Sequence, residues 1–305
     1  MPGYKLATYQ SAQGPRAGAV IDDKVHDIAA LTGRANYVSV QDVLSDWDNA
    51  HRALDAASKA PKGEGQPLKA VKLLAPIALP GTIYCAGANY QDHAEEMWKA
   101  SGQPPQPDPH ELGLKPWFFI KSSHAVTDPD ATVQISKYSK KMDWEIELVV
   151  VIGRKARDLT LDNALSCVAG YTVGNDLSAR DLGFRPQLPE TSPFRADWIR
   201  HKSFDGSAPL GPWITPAAYI SNPSNLAMKL WVNDTLKQNS NSGRMIFTIA
   251  EQIAHLSSGI TLYPGDLIMT GTPAGVGAGK GEFLKAGDRV KAEIAEIGSI
   301  TNTMA

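Results

Sequence analysis

Apolar and polar positions alternate with the two-residue period of a strand through the first 32 residues. The runs are YKLATY, AGAVIDD and KVHDIAAL, separated by Gly, Pro and Asp-Asp turns. The period then lengthens. In QDVLSDWDNAHRALDAASK (41–59), Val43, Leu44, Trp47 and Leu54 mark an imperfect apolar face, which predicts one helix. APKGEGQPLK (60–69) follows, the most turn-rich and least apolar stretch of the first hundred residues. A boundary near 60–80 divides the chain into a small N-terminal α/β domain, 1–75, and a larger domain, 76–305.

The larger unit reads mostly as strand. GTIYCAG (81–87), PWFFIK (116–121), DWEIELVVVIG (143–153), CVAGYTVGND (167–176), LGPWIT (210–215) and DLIMTG (266–271) are short apolar runs bounded by turn residues. LAMKLWVNDTLKQ (226–238) alternates around Asn233-Asp234, a hairpin turn. The clearest helix is TIAEQIAHLSSG (248–259), where Thr248 and Glu251 match a capping box and Gly259 supplies the stop. Many strands with few helices place the chain in the α+β class, mainly β and mainly antiparallel, rather than among wound βαβ folds. No internal repeat interrupts it.

One strand poses a problem of charge. Glu145 and Glu147 lie two residues apart in DWEIELVVVIG, so they share a face with roughly 6 to 7 Å between Cα atoms, while Trp144, Ile146 and Leu148 take the other. Two carboxylates about 4 Å apart repel by about 4 kcal/mol at an effective dielectric of about 20. A half-exposed strand would relieve this in water. Val149, Val150, Val151 and Ile152 follow at once, however, which points to burial on both faces and favours a cation between the glutamates. Carboxylate oxygens suit Mg²⁺, Mn²⁺ or Ca²⁺.

Other candidates cluster in four stretches. In GYTVGNDLSARD, Asp176 is either a third ligand or the N-cap of a helical LSARD, and a helical turn brings Arg180 to the same end, ready to hold an anion. In AGANYQDHAEEMWKASG, His93 and Glu96 stand at i and i+3; Glu96 can orient His93 as a general base, or the two can be neighbours on a solvated helix. SGQPPQPDPHE (101–111) is Pro-rich and long for a structureless connection, as lids are. TGTPAGVGAGKG (270–281) fits neither a Walker A nor a dinucleotide pattern; its amides and the Thr272 hydroxyl form an anion nest or a plain turn. Lys202 has Phe and Trp neighbours that imply partial burial.

Composition narrows the classes. With 43% hydrophobic and 20% charged residues over 305 positions, the chain is neither disordered nor membrane-embedded. Net charge is −2, and no Lys/Arg run is longer than the two residues of Lys140-Lys141, so nucleic acid is not an expected partner. Two cysteines, Cys85 and Cys167, exclude a disulfide framework and a Cys-rich metal site. The N-terminus has no signal-peptide pattern and no apolar run is long enough to span a bilayer, so the expected compartment is the cytoplasm.

Taken together, NYQDHAEE, PWFFIKSSHAV, DWEIELVVVIG, GNDLSARD, HKSFDG, PGDLIMTGTPAGVG and LKAGDRVKAEIAEIG, in this order over about residues 80–298, resemble the fumarylacetoacetate hydrolase family. The resemblance implies a β-roll or mixed β-sandwich catalytic domain holding one Mg²⁺ or Mn²⁺ ion, Ca²⁺ being the further choice, on Glu145, Glu147 and Asp176. It implies a mobile lid helix carrying His93 and Glu96, with Lys121, Arg180, Lys202 and Thr272 gathering substrate oxygens, in a homodimer. The chain departs from the family pattern twice. Gly183 stands where many members have Gln, and Ala86 where some have an Asp ligand.

The expected reaction is hydrolysis of a carbon–carbon bond in an acylpyruvate, a 2,4-dioxo acid of the fumarylpyruvate kind, releasing pyruvate. His93 and Glu96 would activate water and Lys202 or Arg180 would stabilise the oxyanion. Oxaloacetate decarboxylation and a hydratase or isomerase reaction on a related 2-keto acid share the same ligands. From another class comes a non-catalytic metal-binding β-protein, which leaves the His93 and Glu96 pair without a purpose. Acyl specificity is expected from the lid and from FRPQLPETSPFRADW (184–198).

Overall fold

The computed structural model describes residues 3–102 and 104–305. The alternating N-terminal runs form an antiparallel meander, Lys5–Ser11, Gly14–Ile21 and Lys24–Asp27. The third run turns helical earlier than its alternation predicts: the Asp27 carboxylate accepts from Ala30 N at 3.0 Å and caps helix α1, Ile28–Thr32. The single helix expected at 41–59 is two. Helix α2, Val40–Ser45, opens on a capping box between Ser39 and Asp42, and helix α3, Trp47–Ser58, starts beyond a break at Asp46. Asp46 leaves helical geometry at φ −122°, ψ 39°, and its carboxylate accepts from Tyr37 Oη and Asn49 Nδ2. The break lets Val43, Leu44, Trp47 and Leu54 share one core.

The meander runs directly into the main sheet, Leu6 pairing with Ile214 in the strand Ala208–Pro216. From there a twelve-stranded sheet continues through Val168–Asn175, Ile146–Ile152, Leu267–Met269 and Ile83–Ala86 to Phe118–Lys121. A five-stranded sheet, built on the hairpin Ala227–Val232 and Thr235–Asn241 together with Arg289–Ile294 and Gly298–Met304, covers one face. Pairing is antiparallel with few exceptions, Ile83–Ala86 beside Leu267–Met269 among them. The fold is thus mainly β with mixed sheets, as the strand count predicted.

The hairpin turn falls on Asn233 and Asp234, both at positive φ (49° and 65°), the geometry in which these residues are tolerated best. Helix α6, Ile249–Gly259, opens on the expected Thr248–Glu251 box. Its end differs from expectation. Gly259 remains helical and the chain leaves at Ile260, in extended backbone.

Both faces of Ile146–Ile152 are buried. Ile146, Leu148, Val150 and Ile152 pack with Met228, Leu230, Val290 and Ala292 between the two sheets, whereas Val149 and Val151 pack on the other face with Leu6, Trp47 and Leu54. A carboxylate at the start of such a strand must therefore find its partners inside the protein.

Candidate metal centre

Glu145 lies just before the strand, where the chain bends between the short strand Met142–Asp143 and Ile146–Ile152. The bend is fixed from both sides. Glu145 N donates to Asn175 Oδ1 at 2.9 Å, Glu145 O accepts from Asp176 N at 2.8 Å, and Ile146 N donates to Gln238 Oε1 at 2.9 Å. These bonds bring Glu145, Glu147 and Asp176 together, all buried, with one oxygen from each within 4.8 Å of the others. Three hard oxygen donors at that spacing fit a divalent cation.

Asp176 is not a helix cap. Beyond it the chain forms a short strand, Ser178–Ala179, paired with Met142–Asp143, and only then a 3₁₀ turn at Arg180–Leu182. Both of its oxygens are taken by lysines distant in sequence. Lys121 Nζ donates to Oδ1 at 2.5 Å and Lys202 Nζ to Oδ2 at 2.6 Å. Lys202 also bridges to Glu145 Oε2 at 2.7 Å, and Arg180 ion-pairs with the other Glu145 oxygen. Arg180 reaches the site from this ladder, not from a helical turn.

The two glutamates of the sequence puzzle thus have opposite environments. Burial pushes the Glu145 carboxyl up, but Lys202 and Arg180 outweigh it and hold the group well below its usual range. Glu147 accepts one hydrogen bond, from Gly271 N at 2.8 Å, and has no ion pair among the described residues. Burial, with Asp176 and Glu145 nearby, pushes its carboxyl well above the usual range. Lys202 is held above its usual value: burial lowers it, and the carboxylates of Asp176 and Glu145 more than offset that. Of the charged groups gathered here, Glu147 is the one that an added cation would satisfy first.

The glycine segment is a nest, and its occupants are the protein's own carboxylates. Gly271 N binds Glu147, Gly275 N binds Glu96 at 2.9 Å, and Gly277 N and Ala278 N bind Asp143 at 2.6 and 3.0 Å. Gly275 sits at φ 103°, and a Cβ there would lie 2.1 Å from Lys237 O. Thr272 is buried and its hydroxyl accepts from Gln238 Nε2 at 2.9 Å.

Helix α4, Gln91–Ser101, lies over this segment. It brings His93 and Glu96 to one side, with His93 Nδ1 3.8 Å from Glu96 Oε2, and Nδ1 is buried without a hydrogen-bond partner. Burial raises the Glu96 carboxyl, but His93 and the Gly275 amide outweigh it and hold the group below its usual value. His93 is close enough to Glu145 to lower that carboxyl too. The face of α4 bearing Gln91, Glu95 and Trp98 lines a separate cavity of about 910 Å³, walled by the stretch from Gln106 to Trp117 and by Arg244.

Two residues of this arrangement were missed in the sequence. Asp143, fully buried, accepts from Arg180 Nε at 2.8 Å as well as from the two loop amides, joining the arginine to the glycine segment. Gln238 ties Thr272 and Pro273 to the strand at Ile146. Asp143 was visible as a third acid two residues before Glu145. Gln238 gave no signal, being an ordinary polar position of a hairpin strand.

Comparison with known proteins agrees with this geometry. The profile of the fumarylacetoacetate (FAA) hydrolase C-terminal region matches residues 82–305. A fumarylacetoacetate hydrolase domain-containing protein 2 homolog from Dictyostelium discoideum is 35% identical over 319 residues, covering 98% of this chain and 97% of the relative. A mitochondrial oxaloacetate tautomerase from Xenopus laevis is 40% identical over 234 residues, 76% of this chain and 68% of the relative. Among solved structures, maleylpyruvate hydrolase from Sphingobium sp. SYK-6, in complex with manganese(II) and pyruvate, superposes with a TM-score of 0.75 at 29% identity, covering 99% of this chain and 98% of that one. Among the described residues no helix is long and apolar enough to cross a membrane. The ordered motifs, the buried carboxylates and these matches lead to one conclusion: the chain belongs to the fumarylacetoacetate hydrolase family of enzymes.

Proposed function

We propose that the protein is a divalent-metal-dependent enzyme acting on 2-keto dicarboxylic acids, transferring the C3 proton that interconverts keto and enol oxaloacetate. One observation carries this reading: three buried carboxylates with oxygens within 4.8 Å, ringed by Lys121, Lys202 and Arg180, beneath a helix bearing His93 and Glu96. Similarity to the Xenopus oxaloacetate tautomerase supports the choice of substrate.

Glu145, Glu147 and Asp176 would hold Mg²⁺ or Mn²⁺, and the manganese in the maleylpyruvate hydrolase structure supports that choice. When bound, the ion supplies Lewis-acid polarisation of a 2-keto group. Arg180, partly exposed with its Nε fixed by Asp143, and Lys121 and Thr272 at the floor receive substrate carboxylate oxygens. His93, its Nδ1 facing a Glu96 that the Gly275 amide anchors, takes the C3 proton and returns it to the 2-oxygen to give the enol, the reverse sequence giving the ketone. Lys202 stabilises negative charge growing on the substrate oxygen. Neither step requires a water nucleophile, which separates this reaction from hydrolysis.

A second reading is carbon–carbon hydrolysis of an acylpyruvate. It is favoured by the His93 and Glu96 pair, which can equally activate water, and by similarity to maleylpyruvate hydrolase. Mn²⁺-loaded protein should accelerate loss of enol absorbance from oxaloacetate, and EDTA should abolish the effect. Release of pyruvate from acetylpyruvate without that acceleration would favour hydrolysis; inertness toward both would overturn the enzyme reading. Calorimetry on Glu147→Gln should show weakened Mn²⁺ binding, and unchanged binding would overturn the ligand set. The assembly proposed is a homodimer, to be read by sedimentation.

A further inference from the structure

His201 immediately precedes Lys202 at the end of helix α5, Trp198–Lys202. It is 4% exposed, and neither ring nitrogen has a hydrogen-bond partner among the described residues. Buried polar groups are nearly always paired, so an imidazole with both nitrogens unused calls for a reason. Packing alone does not supply one, because Phe would fill the same space without the unpaired nitrogens.

The surroundings are built around this ring. It stacks on Trp198, centroids 5.5 Å apart at 28°, and Trp198 in turn stacks on Phe119, over which Lys202 Nζ sits at 5.3 Å. On the other side is Gly183. A Cβ there would lie 2.7 Å from His201 Nδ1, and Gly183 has φ −76°, a conformation open to any residue. Glycine is required here for room, not for backbone freedom. Burial, with Lys202, Arg180 and Lys121 nearby, pushes the imidazole down to about 3, so at neutral pH it is an uncharged group with one N–H to give and one nitrogen to accept. Asp176 is the acid within its range.

We propose that His201 is a substrate-binding residue, an imidazole N–H donating to an oxygen on C4 of the keto acid from a ring position that only a glycine at 183 leaves room for. This rests on the keto-acid reading above. The ligand chemistry is an oxygen acceptor two carbons beyond the 2-keto carbon: a C4 carboxylate in oxaloacetate, a 4-carbonyl in a 2,4-dioxo acid. The charged groups of the floor select for the 2-keto carboxylate end, and an uncharged donor at C4 lets the site take either kind of distal oxygen.

The test compares His201→Phe, which keeps the stack and removes both nitrogens, with Gly183→Ala, which keeps the nitrogens and displaces the ring. Wild type and variants, loaded with Mn²⁺, are titrated with pyruvate, which has no C4, and with oxaloacetate, and kinetics are run on whichever of oxaloacetate or acetylpyruvate the wild type turns over. Both variants should lose about tenfold or more in kcat/KM and in oxaloacetate affinity, with pyruvate and Mn²⁺ affinities unchanged within about twofold, and His201→Asn should recover part of the loss. Equal weakening toward pyruvate would mean that His201 acts through the metal seat, and full activity in a folded His201→Phe would mean that it only packs; either overturns the assignment. A wild type that binds neither keto acid overturns the parent reading and this one with it.

Discussion

The floor of the site and the helix above it are held in very different ways. Lys121, Asp143, Glu145, Glu147, Asp176 and Lys202 are each at most 5% exposed, and most are tied by two or more polar contacts to elements far apart in sequence. Helix α4 has no fully buried side chain and no side-chain N-cap. Along its length it is docked by Ser240 Oγ to Asp92 at 2.5 Å, Gly275 N to Glu96 at 2.9 Å and Ala274 N to Asp92 at 3.4 Å. Only its base is firm: the buried Asn89 side chain bonds Phe247 O, Thr270 O and Phe247 N. The charge-bearing part is prebuilt, and the part carrying His93 is anchored at one end and lightly held elsewhere, which places it at the less stable end of the structure.

The sharpest way to break this contrast is to unpair the floor. Lys121→Met removes the ammonium from Asp176 Oδ1 and leaves Asp176 to share Lys202 with Glu145, one buried cation fewer for three buried carboxylates, so chelator-treated protein should lose about 3–5 kcal/mol in urea unfolding. Added Mn²⁺ should return part of that loss. A loss below about 1 kcal/mol would show that the floor is solvated like an ordinary surface pair.

Next in size is Asp143→Ala. It strips the acceptor from Arg180 Nε and from the amides of Gly277 and Ala278, and a hydrogen bond to a charged group contributes about 1.5–3 kcal/mol. Arg180 would then lean on Glu145 alone and compete with a cation for its oxygens. Mn²⁺ affinity should fall by roughly 10- to 100-fold although Asp143 is no ligand, the size typical of an outer partner. Calorimetry reads it directly.

That Asp143 was overlooked shows where sequence reading stops. Strand period, apolar runs on both faces, the Thr248–Glu251 box and the Asn233-Asp234 turn depend on neighbours within a few residues, and each was legible. The stretch 41–59 divides into two helices because Asp46 spends its carboxylate on Tyr37 and Asn49, an arrangement that propensity does not register. Asp176 was open to a capping reading because its true partners, Lys121 and Lys202, lie 55 and 26 residues away. The glycine segment was correctly a nest, but nothing local says that Glu96, Asp143 and Glu147 fill it. Ordered motifs identified the site; only the fold says which group answers which charge.

Loosening helix α4 should cost little stability and still change its local opening. Ser240→Ala removes one partly exposed hydrogen bond to Asp92, so stability should change by about 1 kcal/mol or less. Hydrogen exchange in Gln91–Ser101 should nevertheless quicken, with the amides of Ile146–Ile152 unaffected. Equal quickening in both would mean that helix and floor open as one unit, and the contrast between them would fail.

The smallest effect expected is one of pH, and it concerns the stretch that follows helix α4. His110 Nε2 lies 2.9 Å from Glu251 and Nδ1 3.0 Å from Asp108, and these carboxylates, Glu251 foremost, hold the imidazole above its usual value of 6.5. A group raised on folding contributes stability that is fully present below the unfolded pKa and is lost as pH rises through the folded one. Attachment of residues 104–111 to helix α6 should therefore weaken above neutrality. His110 is 42% exposed, so solvent screens the pairs and the change is at most about 1 kcal/mol. Exchange protection in 104–111, corrected for the intrinsic rate, should fall as pH rises above the usual imidazole value of 6.5, and His110→Gln should abolish the dependence. If His110→Gln retains it, the charge that holds this stretch lies elsewhere, and its light attachment is not set by His110.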